Sequence, residues 1–100
     1  MLVTDALVVG AGPVGLFAAF ELGLLEASCY VVDALPRAGG QCAMLYGAKP
    51  LYDIPGLPAT TGDGLVERLL EQLAPFDIPF HFGSPVAEVT PRESGRFQVA

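Results

Sequence analysis

The sequence predicts an α/β chain built on a parallel sheet, and three observations carry that reading. Two short apolar runs, Ala6–Val9 and Cys29–Val32, end abruptly at Gly10 and Asp33. Between them, Pro13 to about Glu26 is a stretch of Leu, Phe, Ala and Glu broken only by Gly15 and Gly23. Parallel strands need a crossover of this kind, and its hand should be right. Composition agrees, because 100 residues that are 52% hydrophobic and 16% charged are too apolar for a disordered chain and amount to at most one ordinary domain.

Both apolar runs read as strands buried on two faces. Pro13 suits the first turn of the intervening helix, whose only charges are Glu21 and Glu26, so that helix should be covered nearly all round. From Ala34 to Pro58 neither period holds, and glycines and prolines punctuate the segment; long irregular stretches inside compact domains are usually functional. A second helix is expected from about Asp63 to Leu73, where Leu65, Leu69 and Leu73 recur every four residues, Val66 and Leu70 widen the stripe, and Thr60 or Thr61 can cap the start. Three short strands should follow, Pro79–Phe82, Val86–Thr90 and Phe97–Ala100, the last two separated by the turn-like Arg92–Gly95. The sequence stops inside the last of these, which reads as truncation of a longer protein.

Charge and cysteine content narrow the function classes. Eleven acids against five bases give a formal charge of -6, and Arg37, Lys49, Arg68, Arg92 and Arg96 form no cluster, which disfavours nucleic acid and anionic membranes as partners. Cys29 and Cys42 lie 13 positions apart, a spacing that fits neither a CxxC redox pair nor a zinc site; reduced thiols in a cytoplasmic protein are the default. The uncharged stretch Ala6–Phe20 is too short to span a bilayer, follows Asp5 rather than a basic residue, and is broken by three glycines and a proline, so it is neither a membrane span nor a signal peptide. A mean hydropathy of +0.51 is high for a free-standing soluble domain and suggests surface meant to be covered.

Gly10-Ala11-Gly12-Pro13-Val14-Gly15 matches GxGxxG with a strand directly before it and a helix directly after it, the context that gives the pattern meaning. Gly10 would allow the tight turn, Gly12 would let backbone approach a pyrophosphate, and Gly15 would let the helix pack closely on the strand. The phosphates would rest on free N–H groups at the positive end of the helix. Asp33, 23 positions after Gly10, stands where a carboxylate can accept bonds from both hydroxyls of an adenosine ribose. An acid there opposes a 2′-phosphate, so the nucleotide should be FAD or NAD rather than NADP. The architecture is Rossmann-like.

Further residues carry a family resemblance. Asp33 followed by Gly39-Gly40 looks like the acid-to-GG extension of two-dinucleotide flavoproteins, which favours FAD in this half. The series Gly39-Gly40-Gln41, Leu45-Tyr46, Lys49-Pro50, Tyr52-Asp53-Ile54-Pro55-Gly56 and Leu57-Pro58 resembles the ferredoxin (or flavodoxin)–NADP⁺ reductases of the thioredoxin-reductase-like type. Gly15-Leu16-Phe17, Glu71-Gln72 and Pro75-Phe76 extend the likeness through essentially the whole chain. The resemblance implies that residues 1–100 form the N-terminal part of an FAD-binding domain with a parallel sheet and the start of a β-meander, and that the NADP-binding domain lies outside them. It also implies FAD contacts at Gly12, Val14, Asp33 and Gly40, Gln41 and Tyr46 toward the flavin with Tyr46 stacked on it, and Val86 reading the adenine edge through its main chain. In the complete enzyme it implies NADPH as hydride donor, ferredoxin or flavodoxin as partner, and a homodimer.

Two departures are visible. Tyr46-Gly47-Ala48-Lys49 stands where relatives usually show Tyr-Pro-Glu-Lys, which puts any role of that Glu in doubt. Cys42 lies where lipoamide-type disulfide reductases carry a cysteine, but the partner position five residues on is Gly47, so no disulfide relay can form there. Thioredoxin reductase, with a cysteine pair elsewhere, and a non-catalytic dinucleotide-binding module are the rival readings. The lone His81 alternates with Phe80 and Phe82 and reads as structural, Asp53 and Glu88 have no metal-site spacing, and no nucleophile is paired with a base. Catalytic acids or bases and metal ligands are therefore not expected in this chain, whose residues should position a cofactor that carries the chemistry.

Overall fold

The structure, a computed structural model, describes residues 2–40 and 47–100. Its elements in chain order are β1 (Ala6–Val9), α1 (Pro13–Leu24), β2 (Cys29–Val32), β3 (Pro50–Leu51), β4 (Thr60–Thr61), α2 (Gly62–Leu73), a 3₁₀ turn (Ala74–Phe76), β5 (Phe80–His81), β6 (Val89–Pro91) and β7 (Phe97–Val99). β1, β2 and β5 form a parallel sheet with β2 in the middle. Registers Val8↔Val31 and Val31↔Phe80 put these three side chains on one face, while Leu7, Val9, Tyr30, Val32 and His81 fall on the other.

The core lies on the first face. Leu16 and Ala19 of α1 are fully buried there with Val31, and Val66 and Leu73 of α2 complete the cluster, with Val8, Phe20, Leu69, Leu70 and Phe80 packed around it. Gly23 lets α1 approach the 3₁₀ turn, since a Cβ there would lie 2.7 Å from the Phe76 ring; Phe76 in turn meets Phe20 edge-on, with ring centroids 5.8 Å apart. Thr61 caps α2 by accepting the Gly64 amide at 3.0 Å. α1 ends in a Schellman arrangement, with Ala27 N–H donating to Leu22 and Glu26 N–H to Gly23 while Glu26 takes the left-handed conformation at φ 59.

Several sequence expectations need correction. α1 is not covered all round: Val14, Phe17 and Leu24 are exposed, because the sheet and α2 cover only one side of it among the described residues. The irregular segment contains a short antiparallel pair, β3 with β4, and a bridge between Ile54 and Leu57. The strand expected at Val86–Thr90 runs over Val89–Pro91 instead, leaving Val86 in the extended link before it. β6 and β7 pair as an antiparallel hairpin, and Ala87 and Glu88 both donate to the Ala100 carbonyl beyond its end. No helix among the described residues is long and apolar enough to cross a membrane.

Candidate functional site

The parallel register sets the site. Pairing Val9 with Val32 brings the residues that follow, Gly10 and Asp33, to the same edge of the sheet, and Gly10 N–H closes the ladder on Val32 at 2.8 Å. The chain then turns at Gly10, whose φ of 106 lies where a side chain would be strained. Gly15 packs so tightly that a Cβ would lie 1.8 Å from the Gly10 carbonyl oxygen. Around Gly12, by contrast, a Cβ would meet nothing within 4 Å among the described residues, which leave the turn open on that side.

This geometry leaves donors for an outside acceptor. Gly12 is the N-cap of α1 and has no side chain with which to cap it, and Pro13 has no amide to satisfy. The first helical bond runs from Leu16 N–H to Gly12 O at 2.9 Å. The amides of Gly12, Val14 and Gly15 take no partner among the described residues. They stand at the positive end of the helix, where an anion is favoured. Val14 is 85% exposed, so its amide lies under a surface side chain rather than a packed one.

Asp33 reaches this turn in a way that sequence reasoning missed. One carboxylate oxygen accepts the Ala11 amide at 2.7 Å, and the other accepts the Leu35 amide at 2.9 Å. Its own backbone is held as well, with Asp33 N–H donating to His81 at 3.1 Å and Ser84 N–H donating to the Asp33 carbonyl at 2.8 Å. A carboxylate has about four acceptor sites, so ribose hydroxyls could still reach the outer lone pairs. Gly39 N–H donates to the Ala11 carbonyl at 2.8 Å, and Gly40, at φ 53, comes so close that its Cβ would lie 3.2 Å from Gly12 Cα. The GG pair thus borders the glycine turn, and Gly39, absent from the expected contacts, makes the bond.

The remaining expected residues are less gathered. Val86 is half-buried, and its amide and carbonyl take no backbone partner among the described residues, leaving both polar groups free to read a base edge although it is not in a strand. Gln41, Cys42 and Tyr46 lie outside the described residues. Cys29 is buried and unpaired, and burial pushes its thiol pKa up, the reverse of what a nucleophile needs. His81 sits against Tyr30 with ring centroids 5.5 Å apart. No cluster able to hold a metal occurs among the described residues. A groove of about 580 Å³ between α1, α2 and the Ile54–Leu57 turn, lined by Phe17, Leu57, Leu65 and Leu69, contains no residue of the glycine turn Gly10–Gly15.

Residues 8–48, which hold the glycine turn, Asp33 and the GG pair, match an NAD(P)-binding Rossmann-like domain. Over 96 residues the chain is 60% identical to a ferredoxin–NADP reductase of Leptothrix cholodnii and 56% identical to one of Parvibaculum lavamentivorans. The chain is similar in sequence to these ferredoxin–NADP reductases over nearly its whole length. The alignments cover 96% of it and 26% and 28% of those two proteins, so it spans about a quarter of the length of the curated relatives it matches. In fold it resembles the thioredoxin reductase of T. acidophilum, with a TM-score of 0.82 over 97% of this chain and 30% of that one at 24% identity. The ferredoxin–NADP reductase likeness in sequence thus sits on a Rossmann-like α/β fold shared with thioredoxin reductases.

Proposed function

We propose that residues 1–100 form the N-terminal part of the FAD-binding domain of an NADPH-dependent flavoprotein oxidoreductase. The complete protein exchanges electrons between NADP(H) and ferredoxin or flavodoxin, as a cytoplasmic homodimer. The observation that carries this reading is the 60% identity over 96 residues to a ferredoxin–NADP reductase, running through the turn that the geometry leaves open to an anion. Thioredoxin reductases share the fold at 24% identity or less, which speaks for common architecture and not for a common acceptor.

The residues present fit FAD. The amides of Gly12, Val14 and Gly15 take the diphosphate, Gly10 makes the turn that exposes them, and Gly15 keeps the helix end close to the sheet. Asp33 takes the adenosine ribose through its outer lone pairs, Gly40 borders the diphosphate, and the free main-chain groups of Val86 serve the adenine edge. Gln41 and Tyr46 are assigned to the flavin through the family resemblance, with Tyr46 stacked on the ring. When bound, FAD supplies acceptance of a hydride and release of single electrons. The chain's own residues bind and orient; none of them moves a proton.

The test is made on the full-length protein. It should purify with about one flavin per chain and reduce ferredoxin or flavodoxin with NADPH. Flavin with thioredoxin reduction alone would assign it to the thioredoxin reductases. Flavin with no turnover on any acceptor would make it a binding module, and absence of flavin after reconstitution would sink the assignment of the turn.

A further inference from the structure

We propose that Asp33 is a positioning residue for the phosphate turn as well as a ribose ligand: its carboxylate fixes the Gly10–Ala11 peptide plane, next to the plane whose Gly12 amide receives the diphosphate. This deepens the nucleotide reading above and rests on it.

Ala11 is fully buried and lies between two glycines, so on its own this stretch of backbone has wide freedom and would lose much entropy on ordering. Two bonds remove that freedom. Asp33 Oδ2 accepts the Ala11 amide at 2.7 Å, which sets the Gly10–Ala11 peptide plane and turns the Gly10 carbonyl the other way, toward the packed Gly15. Gly39 N–H donates to the Ala11 carbonyl at 2.8 Å, which sets the Ala11–Gly12 plane and directs the Gly12 amide away from Gly39.

Asp33 can act as a clamp because it is itself held at three other points. Leu35 N–H donates to its Oδ1 at 2.9 Å, its amide donates to His81, and its carbonyl accepts from Ser84. Through its carboxylate and its main-chain amide together, Asp33 therefore joins the C-terminal ends of β1, β2 and β5 around the turn. A charge-assisted bond to a backbone amide is among the stronger hydrogen bonds available. Two of the roughly four acceptor sites remain for ribose hydroxyls. One side chain thus couples the diphosphate half of the site to the ribose half, and its loss should weaken ligands that have no ribose hydroxyls to offer.

The experiment uses the full-length protein stripped of flavin, with ADP and 2′,3′-dideoxy-ADP as probes in calorimetric titrations against the native sequence and Asp33→Asn. Asn offers one acceptor oxygen to two amides and presents an NH₂ to the other. The clamp predicts that Asp33→Asn binds dideoxy-ADP at least about tenfold more weakly than the native protein does, the order of one charge-assisted bond. A pure ribose ligand predicts equal affinities of the two proteins for dideoxy-ADP, and that result would overturn the proposal. A role in stability alone would lower the melting temperature without changing this affinity in folded protein, which overturns it as well. Failure of the native protein to bind ADP would instead strike at the nucleotide reading. Hydrogen exchange then decides the clamp by itself, as it does if Asp33→Asn fails to fold: in the native protein without nucleotide the Ala11 amide should be strongly protected, and exchange at the free-peptide rate would reject the clamp.

Discussion

At residue scale, the glycines of the turn separate packing from ligand access. Gly15→Ala places a methyl against the Gly10 carbonyl, a backbone atom that cannot step aside, and should cost about 3 kcal/mol, read from the denaturation midpoint of the full-length protein. Gly12→Ala should behave differently. At φ -76 and with nothing within 4 Å of its Cβ among the described residues, alanine is unstrained there; the gain through the unfolded chain and the poorer N-cap oppose each other, so stability should change by less than about 0.5 kcal/mol. The same methyl occupies the space where a diphosphate would rest, so ADP affinity measured by titration should fall about tenfold or more while the melting point stays nearly unchanged. Glu26→Gly, which relieves a left-handed φ of 59 at the end of α1, should stabilise by about 1 kcal/mol in chemical denaturation. Gly10 and Gly15 were legible because the fold needs the absence of a side chain at each, which a sequence states directly. The Asp33–Ala11 bond was not, because its donor is a backbone amide 22 residues earlier and becomes a neighbour only once the parallel register is known.

At the scale of elements, the helices and the first two strands were legible through period and punctuation, and the bounds of the later short strands were not. α2 follows its four-residue leucine recurrence from Leu65 to Leu73, and of the two threonines offered as its cap, Thr61 makes the bond. Thr61→Ala should cost about 1 kcal/mol, measured by urea unfolding. β5 and β6 came out shorter than their apolar runs because a strand ends where its partner ends, and neighbouring strands are not written in a residue's own sequence. The entry to β1 carries a pH dependence. Asp5 and Ser28 clasp the β1 and β2 starts, Ser28 N–H donating to the Asp5 carboxylate at 3.0 Å and Asp5 N–H to the Ser28 hydroxyl at 2.8 Å. The Ser28 amide first, and its hydroxyl second, hold the Asp5 pKa below the ordinary 3.8. The folded pKa is the lower one, so this contribution is present above pH 3.8 and fades as pH falls through the folded value. Asp5→Asn should therefore be less stable than the native protein near neutrality, with the two midpoints converging as acid is added; a gap independent of pH would show that the charge is irrelevant.

At the scale of the molecule, the described surfaces are too open and too apolar for a solitary domain. Its accessible surface is 6751 Å², against about 5,400 Å² for a compact monomer of 10.4 kDa. The Cα radius of gyration is 14.6 Å, where about 13 Å is usual for 100 residues. The excess is apolar in particular places. Val9 is 59% exposed on the outer face of the sheet, and β1 pairs only with β2 among the described residues, leaving an edge that carries no charge or proline to discourage pairing. Val89, Pro91, Phe97 and Val99 share one face of the hairpin, all exposed, while Arg92 and Gln98 bond to each other beside it. Apolar strands with open edges and bare faces associate. The charge of -6 opposes this only at range, since salt at physiological strength screens beyond about 8 Å. Residues 1–100 expressed alone should therefore elute from gel filtration as concentration-dependent oligomers, bind a hydrophobic dye, and retain little FAD, because the surfaces that sandwich a nucleotide are bare. Val9→Lys, which places a charge on both the free edge and the open face, should shift the elution toward monomer at equal concentration. A native-sequence fragment that elutes as a dye-silent monomer with stoichiometric flavin would show that these surfaces need no cover and that the dinucleotide site is complete within the first hundred residues.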